Sequence, residues 1–219
     1  MSLLDISSLF SATDEQLMWR VRSEDDQDAF SRLVSKWQPA IQRLCVRMVG
    51  DIHRGEDLAQ EAFAKLYAKR LDYLPSARFS TYLWRIALNN CYDELRRLKR
   101  RPEMSLEAHG GGDGESFSLL DGHITVEATP ETDLHLRERA EMVCAALQKL
   151  PDHVRTVVVL RHYENLKFRE IAEVLEIPEG TAKSRMAEGL QQLSQILMRA
   201  MRADSEPRAF SRHKESLIL

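Results

Sequence analysis

A glycine-rich acidic segment near the middle of the chain limits the available folds more than any other feature. Residues 102–133 hold eight aspartates and glutamates, no lysine or arginine, and five of the nine glycines. Three of those glycines are consecutive, at 110–112, which the interior of a helix or strand accommodates only at a cost. Segments with low hydrophobicity and charge of one sign stay extended, and roughly 30 residues is too long for a connection within one compact domain. The sequence therefore predicts two small domains joined by a flexible acidic linker.

The flanking composition places the boundaries of these domains. We expect an N-terminal domain at 12–101, the linker at 102–130, a C-terminal domain at 131–200 and a tail at 201–219. The net charge is +3 over residues 1–101, −8 over 102–133 and +2 over 134–219. Two weakly basic domains thus flank a purely acidic block, a division that the overall charge of −3 conceals.

Composition excludes several classes of protein. With 30% charged and 43% hydrophobic residues, the 219-residue chain is typical of globular proteins rather than collagenous, wholly disordered or membrane proteins. No apolar run reaches the roughly 18–20 residues of a bilayer span, and residues 1–15 do not have the pattern of a secretory signal. We therefore expect no membrane span and a cytoplasmic location. Cys45, Cys91 and Cys144 occur singly within apolar helical patterns, which favours core positions over a disulfide framework.

The N-terminal domain has the apolar spacing of a helical bundle. Over residues 29–48 apolar side chains recur at i, i+3 and i+4, and Pro39 is expected to kink or split this helix. A second helix should follow Asp51, a favourable N-cap. After a break around Leu74–Ala77, Ser80 or Thr81 should cap a third. The domain is therefore expected to be all-α.

The third helix combines basic and aromatic residues. Residues 78–101 contain seven lysines and arginines, interleaved with Phe79, Tyr82, Trp84 and Tyr92. Cations neutralise phosphates and aromatic rings stack on unpaired bases, so this pattern favours a surface for single-stranded DNA. The alternative is a solvated helix whose basic end is favoured by the helix dipole.

The C-terminal domain ends in a helix-turn-helix pattern. Earlier helices are predicted after Pro130 and after Pro151, followed by helices at 168–175 and 179–199 with a three-residue turn between them. Ile171, Ala172 and Leu175 form one apolar face of the first helix of the motif. Polar residues cluster at the start of the second helix, where such motifs contact base edges and phosphates. An ordinary helical hairpin is the alternative.

In order and spacing, these motifs resemble the bacterial sigma factors of the extracytoplasmic-function (ECF) class, within the sigma-70 superfamily. The resemblance covers most of residues 14–198. Residues 57–66 are similar to the family's polymerase-binding helix, which packs on the clamp helices of the large catalytic subunit. Residues 79–97 resemble the segment that melts and reads the minus-ten element. Residues 150–161 together with 169–193 resemble the reader of the minus-thirty-five element.

The resemblance implies three sets of contact residues. Core RNA polymerase would be bound by Asp57, Leu58, Gln60, Glu61, Phe63 and Leu66. The minus-ten element would be bound by Phe79, Tyr82, Trp84, Asn89, Arg96 and Arg97, with Asp93 in support. The minus-thirty-five element would be bound by Thr181, Lys183, Ser184 and Arg185. It also implies a cognate anti-sigma factor, wedged between the two domains or wrapped around them.

The polymerase-binding segment has a physical interpretation of its own. An exposed helix carrying both acidic and apolar residues suits a basic partner helix, with Leu58, Phe63 and Leu66 as apolar anchors and the neighbouring acids setting orientation. A plain amphipathic helix of a bundle is the alternative. The acidic linker could likewise lie in a basic polymerase channel as a phosphate mimic, or serve only as a solvated tether.

The chain departs from the family pattern at three points. Glu176 stands where the family usually has glycine, at a turn position that tends to require positive φ. Lys183 and Arg185 are the only cations on the DNA side of the last helix, which predicts weak autonomous binding to the minus-thirty-five element. Tyr82 stands where the family favours tryptophan, so either Tyr82 or the nearby Trp84 supplies the stacking ring.

We therefore predict an alternative sigma factor that binds core polymerase, melts promoter DNA and starts transcription of a stress or signal regulon. The seven histidines are scattered without a metal-ligand spacing, and no phosphate loop or nucleophile elbow occurs. We expect no enzymatic activity, cofactor, metal or small-molecule substrate. A stand-alone helix-turn-helix regulator is the main alternative, and a protein-interaction adaptor is a weaker one. The apolar end Leu217–Leu219 suggests either a regulatory tail or a frayed terminus.

Overall fold

The computed structural model describes residues 12–74, 78–100 and 130–205, and all regular structure in those ranges is helical. The helices are α1 (Asp14–Glu24), α2 (Gln27–Val49), α3 (Ile52–Ala68), α4 (Phe79–Arg100), α5 (Pro130–Gln148), α6 (Asp152–Val158), α7 (Phe168–Leu175) and α8 (Glu179–Ser205). A 3₁₀ turn at Arg70–Asp72 follows α3, and a π turn at Val159–Tyr163 continues α6. The expected all-α fold is confirmed. The predicted linker, apart from Pro130, and the tail beyond residue 205 lie outside the described residues.

Local capping explains where the N-terminal helices begin. Asp51 accepts a hydrogen bond from the Arg54 N–H and caps α3, as expected. Helix α1 was not predicted, because its apolar spacing is short. Its signal is a capping box, in which the Thr13 side chain accepts from the Gln16 N–H and the Gln16 side chain accepts from the Thr13 N–H.

Three helix predictions need correction. Of the two expected effects of Pro39, a kink or a split, the split is wrong: α2 runs unbroken from Gln27 to Val49, because its apolar stripe is buried on both sides of the proline. Helix α4 begins at Phe79, so Ser80 and Thr81 lie inside it and neither is its N-cap; the Glu15 carboxylate of α1 accepts the Phe79 N–H at 3.1 Å instead. Helix α8 continues through residues 200–205, six residues past the predicted end at 199, since alanine, methionine and arginine there favour helix.

The N-terminal helices enclose an apolar core built around α2. Gly55 of α3 lies so close to α2 that an added Cβ would stand 2.7 Å from the Val46 backbone. Cys45 and Cys91 are fully buried in this core, as predicted, whereas Cys144 on α5 is only partly buried. The close contact at Gly55 fixes the orientation of α3 and therefore of its outward face.

The C-terminal helices pack around α6 and also continue the N-terminal core. Gly189 lets α8 approach α6 closely, because a Cβ there would lie 2.5 Å from Val158. Leu160, Ile171 and Val174 belong to the same continuous apolar cluster as the core of the N-terminal helices. The two helical regions therefore contact each other directly.

Two further properties concern the described residues alone. Among them, no helix is long and apolar enough to cross a bilayer. The same residues contain no group of three or more histidine, cysteine, aspartate or glutamate side chains that could hold a metal ion.

Candidate polymerase-binding and DNA-binding surfaces

Helix α3 presents an acidic, polar face to solvent. The side chains of Asp57 and Glu61 are 63% and 45% exposed, and Gln60 is exposed beside them. Arg54 lies between the two acids, with its guanidinium 3.6 Å from the Asp57 carboxylate and 3.3 Å from that of Glu61. One arginine faces two carboxylates, so this face keeps a net negative charge. The ion pairs with Arg54 also restrict the positions of the two acidic side chains.

The apolar members of this predicted set are not exposed anchors. Leu58 and Leu66 are at most 1% exposed and Phe63 is 7% exposed. Helix α3 packs on both α2 and α4, so its apolar face is used inside the protein. Periodicity identified that face correctly, but the expectation that it meets a partner needs correction for Leu58 and Leu66. Both leucines pack in the core beneath the polar face.

An apolar groove between α2 and α3 supplies the exposed apolar surface instead. The groove has a volume of about 490 Å³ and is lined by Phe30, Val34, Phe63 and Tyr67 among others. The rings of Phe30 and Tyr67 lie 5.0 Å apart, and the Tyr67 hydroxyl donates to Asp25 at 2.6 Å. Sequence reasoning missed Phe30, Val34 and Tyr67 as surface residues. The signal for the first two is their i, i+4 spacing on α2.

The aromatic residues at the start of α4 divide into buried and accessible rings. Phe79 is fully buried and Trp84 is 4% exposed, each packing edge-on against Trp37 with centroids 5.9 Å apart. Tyr82 is only partly buried, and its ring leans on Tyr73 at 5.5 Å. This partial burial raises the pKa of Tyr82 above its ordinary value. Of the two candidate stacking rings, Tyr82 is therefore the accessible one.

The later turns of α4 carry an exposed polar edge and a buried carboxylate. Asn89 is exposed, and Arg96 is exposed and paired with Asp93 at 2.8 Å. Arg97 forms two hydrogen bonds with Glu94, of 2.6 and 2.8 Å, and Arg54 donates to the same carboxylate at 3.2 Å. The hydrogen bonds from Arg97 and then Arg54 lower the pKa of Glu94 to about 2. Glu94 thus joins the basic end of α4 to the acidic face of α3.

Asn90 makes a second link between α3 and α4, which sequence reasoning did not identify. Its buried side-chain amide donates to the Leu58 carbonyl at 3.3 Å and accepts from Lys65 at 2.5 Å. This pair of hydrogen bonds satisfies a polar side chain inside the bundle and sets the relative position of the two helices.

The helix-turn-helix forms at the predicted position. Helix α7 and the start of α8 flank the turn, and Glu176 has the left-handed φ of 55° that its place in the sequence suggested. Lys183 and Ser184 are exposed at the start of α8, with Lys183 paired to Glu179 at 2.7 Å. The Ser184 hydroxyl donates to the Thr181 carbonyl at 3.0 Å.

The other two predicted residues of α8 are less accessible. Thr181 and Arg185 are both partly buried. Burial raises the pKa of Tyr92, and Arg185 lies near enough to the Tyr92 phenol to oppose part of that rise. The four predicted residues therefore lie together on the first turns of α8, with Lys183 and Ser184 outermost.

Comparison with known proteins decides among the functions left open by this geometry. The family models for sigma-70 region 2 and sigma-70 region 4 match residues 33–101 and 141–193. The ECF sigma factor SigW of Bacillus subtilis is 37% identical over 172 residues, which are 78% of this chain and 90% of the relative. This chain belongs to the ECF sigma factors. It is an alternative sigma factor rather than a stand-alone regulator.

Other relatives of this sigma factor agree. The sigma-H factor of Pseudomonas aeruginosa is 34% identical over 190 residues, covering 86% of this chain and 96% of the relative. The ECF sigma-E factor of Escherichia coli K12 is 32% identical over 180 residues, with 80% and 88% covered. Similarity at this level extends across both helical regions.

Solved structures show the same fold. CnrH, solved in complex with the cytosolic domain of CnrY, matches with a TM-score of 0.60 at 22% identity over 85% of this chain and 97% of CnrH. The sigma factor RpoE of Bartonella quintana, solved with the anti-sigma factor NepR, matches with a TM-score of 0.57 at 18% identity over 77% and 96%. In this sigma factor, region 2 includes most of α2 and all of α3 and α4, and region 4 includes the helix-turn-helix.

Proposed function

We propose that this sigma factor binds core RNA polymerase through α3, recognises and melts promoter DNA, and directs transcription of a stress or signal regulon. The observation that carries the proposal is the acidic face of α3 in a chain that also has a basic, aromatic α4 and a helix-turn-helix. A stand-alone duplex-binding regulator would need only the last of these.

The polymerase-binding surface is the polar face of Asp57, Gln60 and Glu61 with the apolar groove beside it. The acids orient a basic partner helix, and the rings of Phe30 and Tyr67 supply apolar area. Phe63 contributes its edge to the groove, whereas Leu58 and Leu66 act from the core.

The minus-ten surface is the outward side of α4. Tyr82 stacks on an unpaired base, and Asn89 and Arg96 lie further along the same helix, where they contact bases or phosphates. Arg97, which is hydrogen-bonded to Glu94, contacts a phosphate. Phe79 and Trp84 support this surface from beneath, since they are buried.

The minus-thirty-five surface is the start of α8. Lys183 and Ser184 are placed to reach the major groove, with Thr181 and Arg185 behind them. Two cations support few phosphate contacts, so most of the affinity for promoters comes from core polymerase and from the minus-ten region.

The protein acts in the cytoplasm and performs no chemical step, because polymerase forms the phosphodiester bonds. An anti-sigma factor holds it inactive; in support, the sigma factor RpoE of Bartonella quintana, which shares the fold, was solved in complex with the anti-sigma factor NepR.

The experiment that tests the proposal is co-elution with bacterial core RNA polymerase on a sizing column. The variant Asp57→Lys, Glu61→Lys reverses the charge of the exposed face without touching the core, and it should lose co-elution. The control Glu141→Lys, Glu188→Lys makes the same charge change at exposed positions on α5 and α8 and should co-elute like the unaltered protein. Absence of co-elution by the unaltered protein at micromolar concentrations would contradict the proposal.

A further inference from the structure

The first turn of α4 is capped by a side chain from α1. An α-helix leaves the N–H groups of its first residues without partners inside the helix, and α4 begins at Phe79. The Glu15 carboxylate accepts the Phe79 N–H at 3.1 Å, from 64 residues earlier in the chain. A carboxylate at this end of a helix is also favoured by the helix dipole. Glu15 therefore does for α4 what the local cap Asp51 does for α3.

Glu15 is itself held in place by the first turn of α1. A capping box starts this helix around the two acids Asp14 and Glu15. Asp14 accepts hydrogen bonds from the Lys36 ammonium at 2.7 Å and from the Trp37 indole N–H at 3.1 Å, both on α2. Glu15 is partly buried beside it. The first turn of α1 is therefore tied to α2 by one carboxylate and to α4 by the next.

A row of aromatic rings connects this cap to the accessible ring of the minus-ten surface. Phe79 packs edge-on against Tyr73 with ring centroids 6.4 Å apart, and Tyr73 leans on Tyr82 at 5.5 Å. Tyr73 is fully buried, and its burial together with the nearby charges of Glu15 and Asp14 raises its pKa to about 12. Both acids of α1 therefore lie close to the middle ring of the row. The contacts run without a break from Glu15 through Phe79 and Tyr73 to Tyr82.

The remainder of α4 is anchored by other contacts. Asn90 and Glu94 join its later turns to α3, and its buried face lies in the continuous apolar core. Helix α1 buries three apolar side chains of its own in the same core. Loss of the Glu15 hydrogen bond should therefore loosen the start of α4 without displacing α3, which carries the polymerase-binding surface.

We propose that Glu15 is a positioning residue for minus-ten recognition. It fixes the first turn of α4 and, through Phe79 and Tyr73, the orientation in which Tyr82 stacks on an unpaired base. The inference rests on the proposed function, because it takes Tyr82 as the stacking ring. Glu15 lies on α1, which precedes the residues 33–101 that match the family model for region 2. A helix outside that match thus supports the minus-ten surface.

Charge alone predicts the opposite effect of removing this acid. A carboxylate near a cationic DNA-binding surface repels phosphates, so its neutralisation should tighten binding of single-stranded DNA. Loss of the cap should instead weaken binding, because the Tyr82 ring is no longer held for stacking. The sign of the change in affinity therefore separates the two effects.

The experiment uses holoenzyme reconstituted from core polymerase and the full chain. The variants are Glu15→Ala, which removes the acceptor of the Phe79 N–H, and Glu15→Gln, which keeps an acceptor oxygen and removes only the charge. The control Glu24→Ala removes an exposed acid from the last residue of the same helix, with the same change in net charge. The probe is a fluorescent oligonucleotide with the non-template minus-ten sequence of a promoter mapped with the unaltered holoenzyme. Fluorescence anisotropy gives its affinity.

The variants should differ in the affinity of the holoenzyme for this strand. Removal of a stacked ring weakens single-strand binding by about five- to 150-fold, and a displaced ring should cost the lower end of that range. Glu15→Ala should therefore weaken binding about fivefold, whereas Glu15→Gln and Glu24→Ala should bind like the unaltered protein. Equal or tighter binding by Glu15→Ala would overturn the inference. A loss in Glu15→Gln equal to that in Glu15→Ala would also overturn it, because glutamine can still accept the N–H.

A double-mutant cycle with Tyr82→Ala distinguishes positioning from a general loss of structure. If Glu15 acts through this ring, Glu15→Ala should cost no further affinity in the Tyr82→Ala background. The same loss of affinity in both backgrounds would overturn the inference, since Glu15 would then act independently of the ring.

Two measurements on the same proteins identify the origin of a failure. Circular dichroism must show unchanged helix content in Glu15→Ala. If helix content falls, Glu15→Asp takes its place, because aspartate keeps the charge but is too short to reach the N–H; an unchanged affinity of Glu15→Asp would overturn the inference. Co-elution with core polymerase should be the same for every variant. Failure of the unaltered protein to co-elute would contradict the proposed function, whereas normal co-elution with unchanged strand binding by Glu15→Ala would overturn this inference alone.

Discussion

Glu94 offers the sharpest test of how α3 and α4 are held together. The variant Glu94→Gln keeps the shape of the side chain and removes its charge. In the folded protein the hydrogen bonds from Arg97 and Arg54 lower the pKa of Glu94 from 4.5 to about 2. That difference corresponds to roughly 3.4 kcal/mol at about 1.36 kcal/mol per pH unit. The two arginines are 44% and 32% exposed, so water screens part of this, and we expect a loss of about 2 kcal/mol.

The pH dependence of this loss has a definite sign. A carboxyl whose pKa is lower in the folded state stabilises the fold fully above the unfolded pKa of 4.5, and the stabilisation disappears as pH falls toward about 2. The unaltered protein should therefore lose its advantage over Glu94→Gln within that window. Protonation of a carboxyl falls about tenfold for each pH unit above its pKa. Above about pH 6 the difference in the free energy of unfolding between the two proteins should therefore be constant.

Urea unfolding followed by tryptophan fluorescence measures both effects, since Trp84 is buried on α4 and its ring packs against that of Trp37. The matched control is Asp93→Asn, an exposed carboxylate one position earlier on α4 that also pairs with an arginine. It should cost less than about 0.5 kcal/mol. An equal loss in the two variants, or a Glu94→Gln loss that stays constant down to pH 3, about one unit above the folded pKa, would refute the reasoning.

Three further predictions concern the other surfaces. In the holoenzyme, Tyr82→Ala should weaken binding of the separated minus-ten strand by about 1–3 kcal/mol, whereas Tyr82→Phe should keep the affinity of the unaltered protein. Fluorescence anisotropy measures both affinities, and an equal loss in the two variants would exclude stacking by the ring. Gly55→Ala should lower the free energy of unfolding by about 1–3 kcal/mol, because the added Cβ meets the backbone of α2. The control Gly180→Ala has open space around the added Cβ and should not destabilise the protein. Thermal unfolding of the two variants tests this, and an equal change in both would contradict it. Holoenzyme with Lys183→Ala and Arg185→Ala should show a salt slope on promoter duplex reduced by about 2, and an unchanged slope would remove these cations from the DNA interface.

The sequence was informative wherever a local rule decides the structure. Asp51 caps α3 because a side-chain oxygen satisfies an exposed N–H, and helix α7 has the bounds that its apolar spacing predicted. The left-handed backbone of Glu176 was expected from the resemblance, since the family usually has glycine at that turn position. These features depend only on residues close together in the chain.

Contacts between distant residues were beyond such reasoning. Periodicity shows that Leu58 and Leu66 share a face, but not whether that face meets a partner or the protein's own core. The start of α4 depends on Glu15, more than sixty residues earlier in the chain, and the burial of Val174 depends on helices of the other region. In each case the missing information is the packing of one helix against another.

The central claim is that this chain converts core RNA polymerase into a promoter-specific enzyme. Transcription of fragmented genomic DNA by purified core polymerase, with and without the chain, tests it most directly when the RNA 5′ ends are sequenced. The account predicts new start sites preceded by common minus-ten and minus-thirty-five sequences, all lost with the Asp57→Lys, Glu61→Lys variant. Start sites identical to those of core polymerase alone would contradict it.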